Sequence, residues 1–187
     1  MLRSGETFEI INLSKGEAGF AEEIKKMGGE RILECIQCGK CAATCPLALA
    51  GFPFFNKRVI HAILNGLKEV LLNDISIWAC QSCNRCTETC PRRVDPFEIM
   101  MAMRRVAVRK YALPATAIKG IKSLYDVGHA VYLSEAGEPR KKLGLPEKPP
   151  TTVADPEALA EVQSILRKTS LATLGIIPMG EFGIFGI

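Results

Sequence analysis

Apolar positions along this chain recur at three- and four-residue intervals, the period of a helix with one buried face. Strand-like alternation is weak throughout. Within Glu17–Arg31, Phe20, Ala21, Ile24 and Met27 fall on one face, and Gly28-Gly29 leaves the end of that helix open. Val59, Ile60, Ile63 and Leu64 form a second stripe, stopped by Asn65-Gly66; Leu67, Val70 and Leu71 form a third. The stretch from Pro46 to Ala79 therefore reads as two short helices. Asp95-Pro96-Phe97-Glu98 combines a capping residue, a first-turn proline and an acid three positions on, and predicts a helix to about Lys110. Met100, Met103, Val106 and Ala107 should face inward, with Arg104, Arg105 and Arg109 toward water or a partner. A methionine stripe of this kind reads as core.

A further helix is expected over Ala115–Leu133. Ser134–Thr152 holds Pro139, Pro146, Pro149 and Pro150 among many charges and reads as a linker. Asp155-Pro156 repeats the cap-and-proline device ahead of Leu159, Val162, Ile165 and Leu166. From Gly175 to Ile187 the chain is apolar, glycine-broken and nearly uncharged, an adhesive strip expected either to pack on this domain or, as the favoured reading, to dock on a partner. The expected fold class is mainly α. Its parts are an N-terminal arm (1–16), a helical domain (17–133), a proline-rich linker (134–154) and a C-terminal helix with its tail (155–187).

With 48% hydrophobic and 24% charged residues in 187, the composition is that of a folded protein. No apolar run approaches the roughly 18 residues of a membrane span, and Met1–Leu13 has no signal-peptide pattern, so a cytoplasmic, uninserted chain is expected. The formal charge of +4 suggests an anionic partner such as nucleic acid. That figure counts eight cysteines as neutral thiols. If all eight bind metal as thiolates, and two oxidised cubane cores each return about two positive charges, the net charge is about zero. The basicity then reads as counter-charge, and no nucleic-acid partner is expected.

The cysteines form two runs: Cys35, Cys38, Cys41, Cys45-Pro46 and Cys80, Cys83, Cys86, Cys90-Pro91. Both are C-x2-C-x2-C-x3-C-P, with no cysteine left over, which makes an internal repeat of a ligand set for 4Fe–4S clusters. Cysteines three apart on a tight loop reach three corners of one cubane. In two-cluster proteins the cysteine before proline usually serves the other cluster. The expected ligands are therefore Cys35, Cys38, Cys41 and Cys90 for one cluster, and Cys80, Cys83, Cys86 and Cys45 for the second. Such crossing makes both clusters a requirement for folding. Structural zinc favours closed sets of four, which two triplets plus Cys-Pro fit poorly. A disulfide framework needs an oxidising compartment, and buried free cysteines would not repeat with this period. Gly39 permits a tight turn, Pro46 and Pro91 turn the chain away, and Lys40, Arg85, Arg92 and Arg93 can offset cluster charge or simply face solvent. His61 and His129 stand singly and read as ordinary surface or core residues.

No nucleotide-binding glycine loop, catalytic triad or open metal site accompanies the clusters. The sequence supports electron transfer, with substrate chemistry on partners. A redox sensor is the other class of reading; it calls for a recognition element, and neither a helix-turn-helix nor an aromatic-laced basic stripe is evident.

The two cysteine runs and their helical spacer resemble the helical ferredoxins of respiratory and fermentative iron–sulfur proteins. The run from Cys35 to Val108, above all the block from Trp78 to Pro91, is similar to the C-type subunit of heterodisulfide reductase from methanogenic archaea. That resemblance implies an oxidoreductase component with two 4Fe–4S clusters and no substrate-converting site of its own. It implies electrons arriving from a flavin- and cluster-containing A-type subunit. They leave for a catalytic B-type subunit, which reduces the mixed disulfide of coenzyme M and coenzyme B. It further implies a larger complex, with a hydrogenase or formate dehydrogenase feeding flavin-based bifurcation. The runner-up is the iron–sulfur relay of a related quinone-, lactate- or glycerol-phosphate-linked dehydrogenase, or a bacterial heterodisulfide-reductase-like protein. Those often fuse further catalytic or ferredoxin domains onto this module.

Overall fold

The computed structural model describes residues 12–52, 56–130 and 137–178. Contacts group the chain into two units, one ending at Ala112 and one beginning at Leu113. The described residues are helical, with no strand among them.

The first unit begins with a 3-10 turn (Leu13–Lys15), then α1 (Phe20–Lys26). The first cysteine run contains α2 (Lys40–Ala43) and leads into α3 (Pro46–Leu49). The spacer supplies α4 (Asn56–Leu64), α5 (Lys68–Leu72) and α6 (Ser76–Ala79). The second run contains α7 (Arg85–Glu88), and α8 (Pro96–Arg109) follows it. Helices α1, α4 and α8 pack on one another around Phe20, Ile24, Ile60, Ile63, Ile99 and Met103, all fully buried. At about 1.5–3 kcal/mol per buried side chain, these apolar faces hold the unit together. As the spacing of α8 predicts, Met100, Met103, Val106 and Ala107 are inside.

Helix α8 starts where the sequence places it. The Asp95 carboxylate accepts from the Glu98 N–H at 3.2 Å and from the Thr87 hydroxyl at 2.6 Å. One cap therefore also ties α8 to the second cysteine loop.

Helix α1 is shorter than expected, and the reason is Gly28-Gly29. Gly28 sits at φ +114, and a Cβ there would lie 2.7 Å from Arg105 Nη1 and 2.9 Å from Glu98 Oε1. The helix stops so that the Arg105–Glu98 ion pair of α8 can pass close to the backbone.

Arg104 also departs from expectation. It turns inward instead of facing water, donating to the carbonyls of Ile77, Trp78 and Cys80. It sits four residues after Met100 and three before Ala107, on the buried stripe. The helical spacing points it inward, and only the charge of the side chain argues against that.

The second unit consists of α9 (Ala115–Val127), α10 (Gly137–Lys142), α11 (Pro156–Arg167) and α12 (Ser170–Thr173). Helix α9 ends at Gly128, in the left-handed region at φ 71, short of the expected Leu133. The stretch expected to be a linker contains α10, with Pro139 in its first turn, where a missing N–H costs nothing. Tyr125, Ala172 and Ile177 form a small core there. Arg167 holds the Tyr125 hydroxyl at 2.6 Å, and Gln163 the Tyr125 carbonyl at 2.9 Å. Ile177 thus packs on its own unit; residues 179–187 of the apolar tail, and the N-terminal arm before Asn12, lie outside the described residues.

Candidate metal centre

The two cysteine runs fold as a structural repeat. Gln37 and Ser82, each between the first and second cysteines, have φ 54 and φ 56. Gly39 at φ 81 and Asn84 at φ 60 follow the second cysteine and begin α2 and α7. Left-handed residues wrap each loop tightly about its first three cysteines; glycine reaches this region freely and asparagine at small cost. At each exit a threonine hydroxyl returns to the helix: Thr44 to the Lys40 carbonyl at 3.2 Å, Thr89 to the Arg85 carbonyl at 3.0 Å. The two hydroxyls then meet at 3.3 Å, and α2 packs on α7.

The first cavity is walled by Cys35, Cys38, Cys41 and Cys90, closed by Ile36, Ile60 and Val94, and rimmed by Lys40, Lys57 and Arg92. Cys90 comes from the second run. Burial pushes the Cys41 thiol up to about 11; the Ala42 N–H opposes this, and the charges of Cys35, Cys38 and Cys90 add to it. The other three cysteines of the cavity therefore lie close enough for their charge to reach the Cys41 sulfur. Gln37 donates to Cys35 Sγ and the Val94 N–H to Cys90 Sγ, both at 3.4 Å. Asn56, at the start of α4, holds the Cys41 carbonyl at 3.1 Å.

In the second loop, burial pushes the Cys86 thiol up to about 12; Cys80 and Cys41 add to this, and the Thr87 N–H opposes it. Ala42 and Thr87 thus do the same work one residue after the third cysteine of each run. Helix α2 packs on α7, and the charge of Cys41 reaches Cys86, so the two loops lie side by side. Cys45 is buried next to Thr44, while Cys38 and Cys83 are exposed. The structure gives Cys86 a relationship to Cys80 and to Cys41, and none of comparable detail between Cys45 and the second triplet.

Thiol donors alone, spread around an apolar-walled cavity, fit a cluster with separate iron corners. Among the described residues no three His, Cys, Asp or Glu side chains converge at single-ion distance, as a zinc tetrahedron requires. His61 is on the surface of α4, and the His129 carbonyl accepts from the Ser123 hydroxyl. Asn56, Lys57 and Arg104 escape sequence reasoning, because nothing in the local pattern says that a spacer helix or the far turn of α8 returns to the cysteine loops. Among the described residues no helix is long and apolar enough to cross a membrane.

A family described as a 4Fe–4S dicluster domain matches residues 31–94. The chain is 52% identical to a protein of Archaeoglobus profundus named as like the C-type subunit of heterodisulfide reductase, over 91% of this chain and 95% of that one. It is 36% identical to the C-type subunit of the H2:CoB-CoM heterodisulfide,ferredoxin reductase of Methanothermobacter marburgensis, over 88% of this chain and 89% of that one. The chain belongs to the family of heterodisulfide reductase C-type subunits. As a member it is an iron–sulfur, electron-transferring component of an oxidoreductase complex, mainly helical, and its eight cysteines and dicluster domain provide for two 4Fe–4S clusters. A protein of Methanocaldococcus jannaschii, named as an iron–sulfur component of CoB–CoM heterodisulfide reductase, is 33% identical over 85% of this chain and 89% of its own length.

Proposed function

We propose that Cys35, Cys38, Cys41 and Cys90 hold one 4Fe–4S cluster and that Cys80, Cys83, Cys86 and Cys45 hold the other. In this reading the chain passes single electrons from a flavin- and cluster-containing A-type subunit to a catalytic B-type subunit that reduces the heterodisulfide of coenzyme M and coenzyme B. One observation carries it: Cys90 belongs to the second run, yet it walls the cavity of the first. A cluster bound in such a set supplies reversible one-electron chemistry. The chain's own residues do the rest. Four thiolates per cluster leave no corner for substrate, which moves bond chemistry to a partner. The N–H groups of Ala42, Thr87 and Val94 donate to sulfur and stabilise its charged form. Ile36, Ile60 and Val94 limit water in the first cavity, and Lys40, Lys57 and Arg92 make its rim positive. The names of relatives that couple H2, formate and ferredoxin to the heterodisulfide support a larger assembly with a hydrogenase or formate dehydrogenase, which we place in the cytoplasm.

Cysteine-to-serine substitution tests the crossing. Cys90→Ser should abolish the same electron paramagnetic resonance signal as Cys38→Ser, and Cys45→Ser the same signal as Cys83→Ser. Loss of the Cys38 signal in Cys45→Ser, with the Cys83 signal intact, would refute it. Copurification of the tagged chain with flavin-containing and heterodisulfide-reducing proteins tests the partners.

A further inference from the structure

The two cysteine loops repeat in backbone but not in the charge behind them. Lys40, Lys57 and Arg92 around the first cavity are exposed, so water and salt weaken their field. Behind the second loop stands one half-buried guanidinium, that of Arg104. It donates to the carbonyls of Ile77 at 2.8 Å, Trp78 at 3.0 Å and Cys80 at 2.9 Å, and lies 5.7 Å from the centre of the Trp78 ring. The Gln81 side chain takes the remaining carbonyl, that of Ala79, at 2.8 Å. Every carbonyl from Ile77 to Cys80 is thereby occupied, three of them by one cation. Carbonyls left free at a helix end are partial negative charges. Here they lead directly into Cys80, the first cysteine of the second run. Among the described residues no carboxylate pairs with Arg104, so its charge is not cancelled locally. At the first loop the position before Cys35 is held differently. Arg31 pairs with Glu34 at the exposed surface, and the two charges offset each other.

We propose that Arg104 raises the reduction potential of the cluster served by Cys80, Cys83 and Cys86, and so makes the two clusters unequal electron sites. A positive charge held in a partly desolvated place favours the reduced, more negative form of a neighbouring cluster. The fixed fork of the guanidinium keeps that charge against the loop, and the same bonds remove the opposing field of three carbonyls. Arg104 is thus a positioning and tuning residue for electron transfer. The inference rests on the cluster assignment above only in that Cys80, Cys83 and Cys86 share one cluster; it holds whichever cysteine completes the set.

The test is a redox titration of the full chain carrying both clusters, followed by electron paramagnetic resonance, with iron content measured in parallel. Arg104→Gln should retain iron and lower one midpoint by about a tenfold loss of electron affinity, which is 59 mV for a one-electron couple, while leaving the other unmoved. Arg104→Lys, which keeps the charge, should stay close to the unsubstituted chain. Unmoved midpoints in Arg104→Gln, or equal shifts of both, would overturn the proposal. A full drop in Arg104→Lys would overturn it too, because charge would not be the cause. If Arg104→Gln loses iron, Arg104→Lys decides. Iron loss from both variants would make Arg104 a clamp alone and end the proposal. Iron short of two clusters in the unsubstituted chain would instead refute the cluster assignment.

Discussion

The hydroxyls of Thr44 and Thr89 meet at 3.3 Å, although 45 residues separate them in sequence. Each precedes the last cysteine of its run and lies within reach of a carbonyl four residues earlier; with one hydrogen apiece, one hydroxyl donates to the other, which donates to its own helix carbonyl. The pair sits where α2 meets α7. Thr44→Val and Thr89→Val should each destabilise the clustered protein by about 1 kcal/mol, the net worth of an ordinary hydrogen bond. Because the hydroxyls share a bond, the double variant should lose less than the sum of the singles. Denaturant unfolding under anaerobic conditions measures both; strict additivity would mean that the hydroxyls do not interact.

Gly39 and Asn84 hold equivalent left-handed positions, and the second loop shows that asparagine serves there. A Cβ at Gly39 would lie 3.7 Å from Lys57 Cδ, an ordinary contact, so only backbone strain opposes substitution. Gly39→Asn should therefore be mild. Gly39→Val should cost about 1–2 kcal/mol or more and reduce iron loading. Comparing iron content and thermal midpoint of the two variants tests the equivalence of the loops.

Lys68 is a buried cation of the first unit, bound to Glu23 at 2.6 Å and Glu17 at 3.2 Å and lying 5.5 Å from the Phe20 ring centre. Burial alone would lower its pKa, but the two carboxylates outweigh burial and raise it above the ordinary 10.5. The charged form is thus favoured in the folded state. Its contribution is complete below 10.5 and disappears as pH climbs through the folded value. Lys68→Met should cost about 1–2 kcal/mol near neutrality, since both carboxylates keep access to water. The gap between variant and parent should close at strongly alkaline pH. Unfolding curves at neutral and alkaline pH check the sign, and a gap that widens with pH would contradict it.

Asp95 caps α8 while sitting at φ 57, a conformation aspartate and asparagine adopt more readily than most residues. Asp95→Ala should cost about 1–2 kcal/mol by releasing the Glu98 N–H and the Thr87 hydroxyl. Asp95→Asn should retain most of the stability. Because Thr87 follows Cys86, Asp95→Ala should also loosen the second cluster, seen as faster iron release to a chelator.

The start of α8 is legible from Asp95-Pro96 because capping is a local transaction between neighbours. The stripe of α4 follows from the helical period. Features set by contact between distant segments are not legible in this way. Glycine's two meanings, helix end or close approach, look alike in sequence, so the early stop of α1 at Gly28 depends on Arg105 and Glu98. Arg104 reads as a surface residue because a charge on a buried stripe is ordinarily turned to water. Here three free carbonyls at the end of α6 give it a reason to go inside. At the metal centre the eight cysteines are evident from spacing. Cys90 beside the first triplet follows from the usual crossing of the cysteine before proline, whereas Lys57 at the rim and Asn56 on the Cys41 carbonyl become visible only once α4 is packed on the loop.

The charge of Cys41 raises the cost of ionising Cys86, in the other run. The same repulsion acts on whatever charge the two loops hold. A first electron delivered to one side makes the other side less welcoming to a second. Two clusters held this close would take up their electrons at separated potentials, one passage at a time.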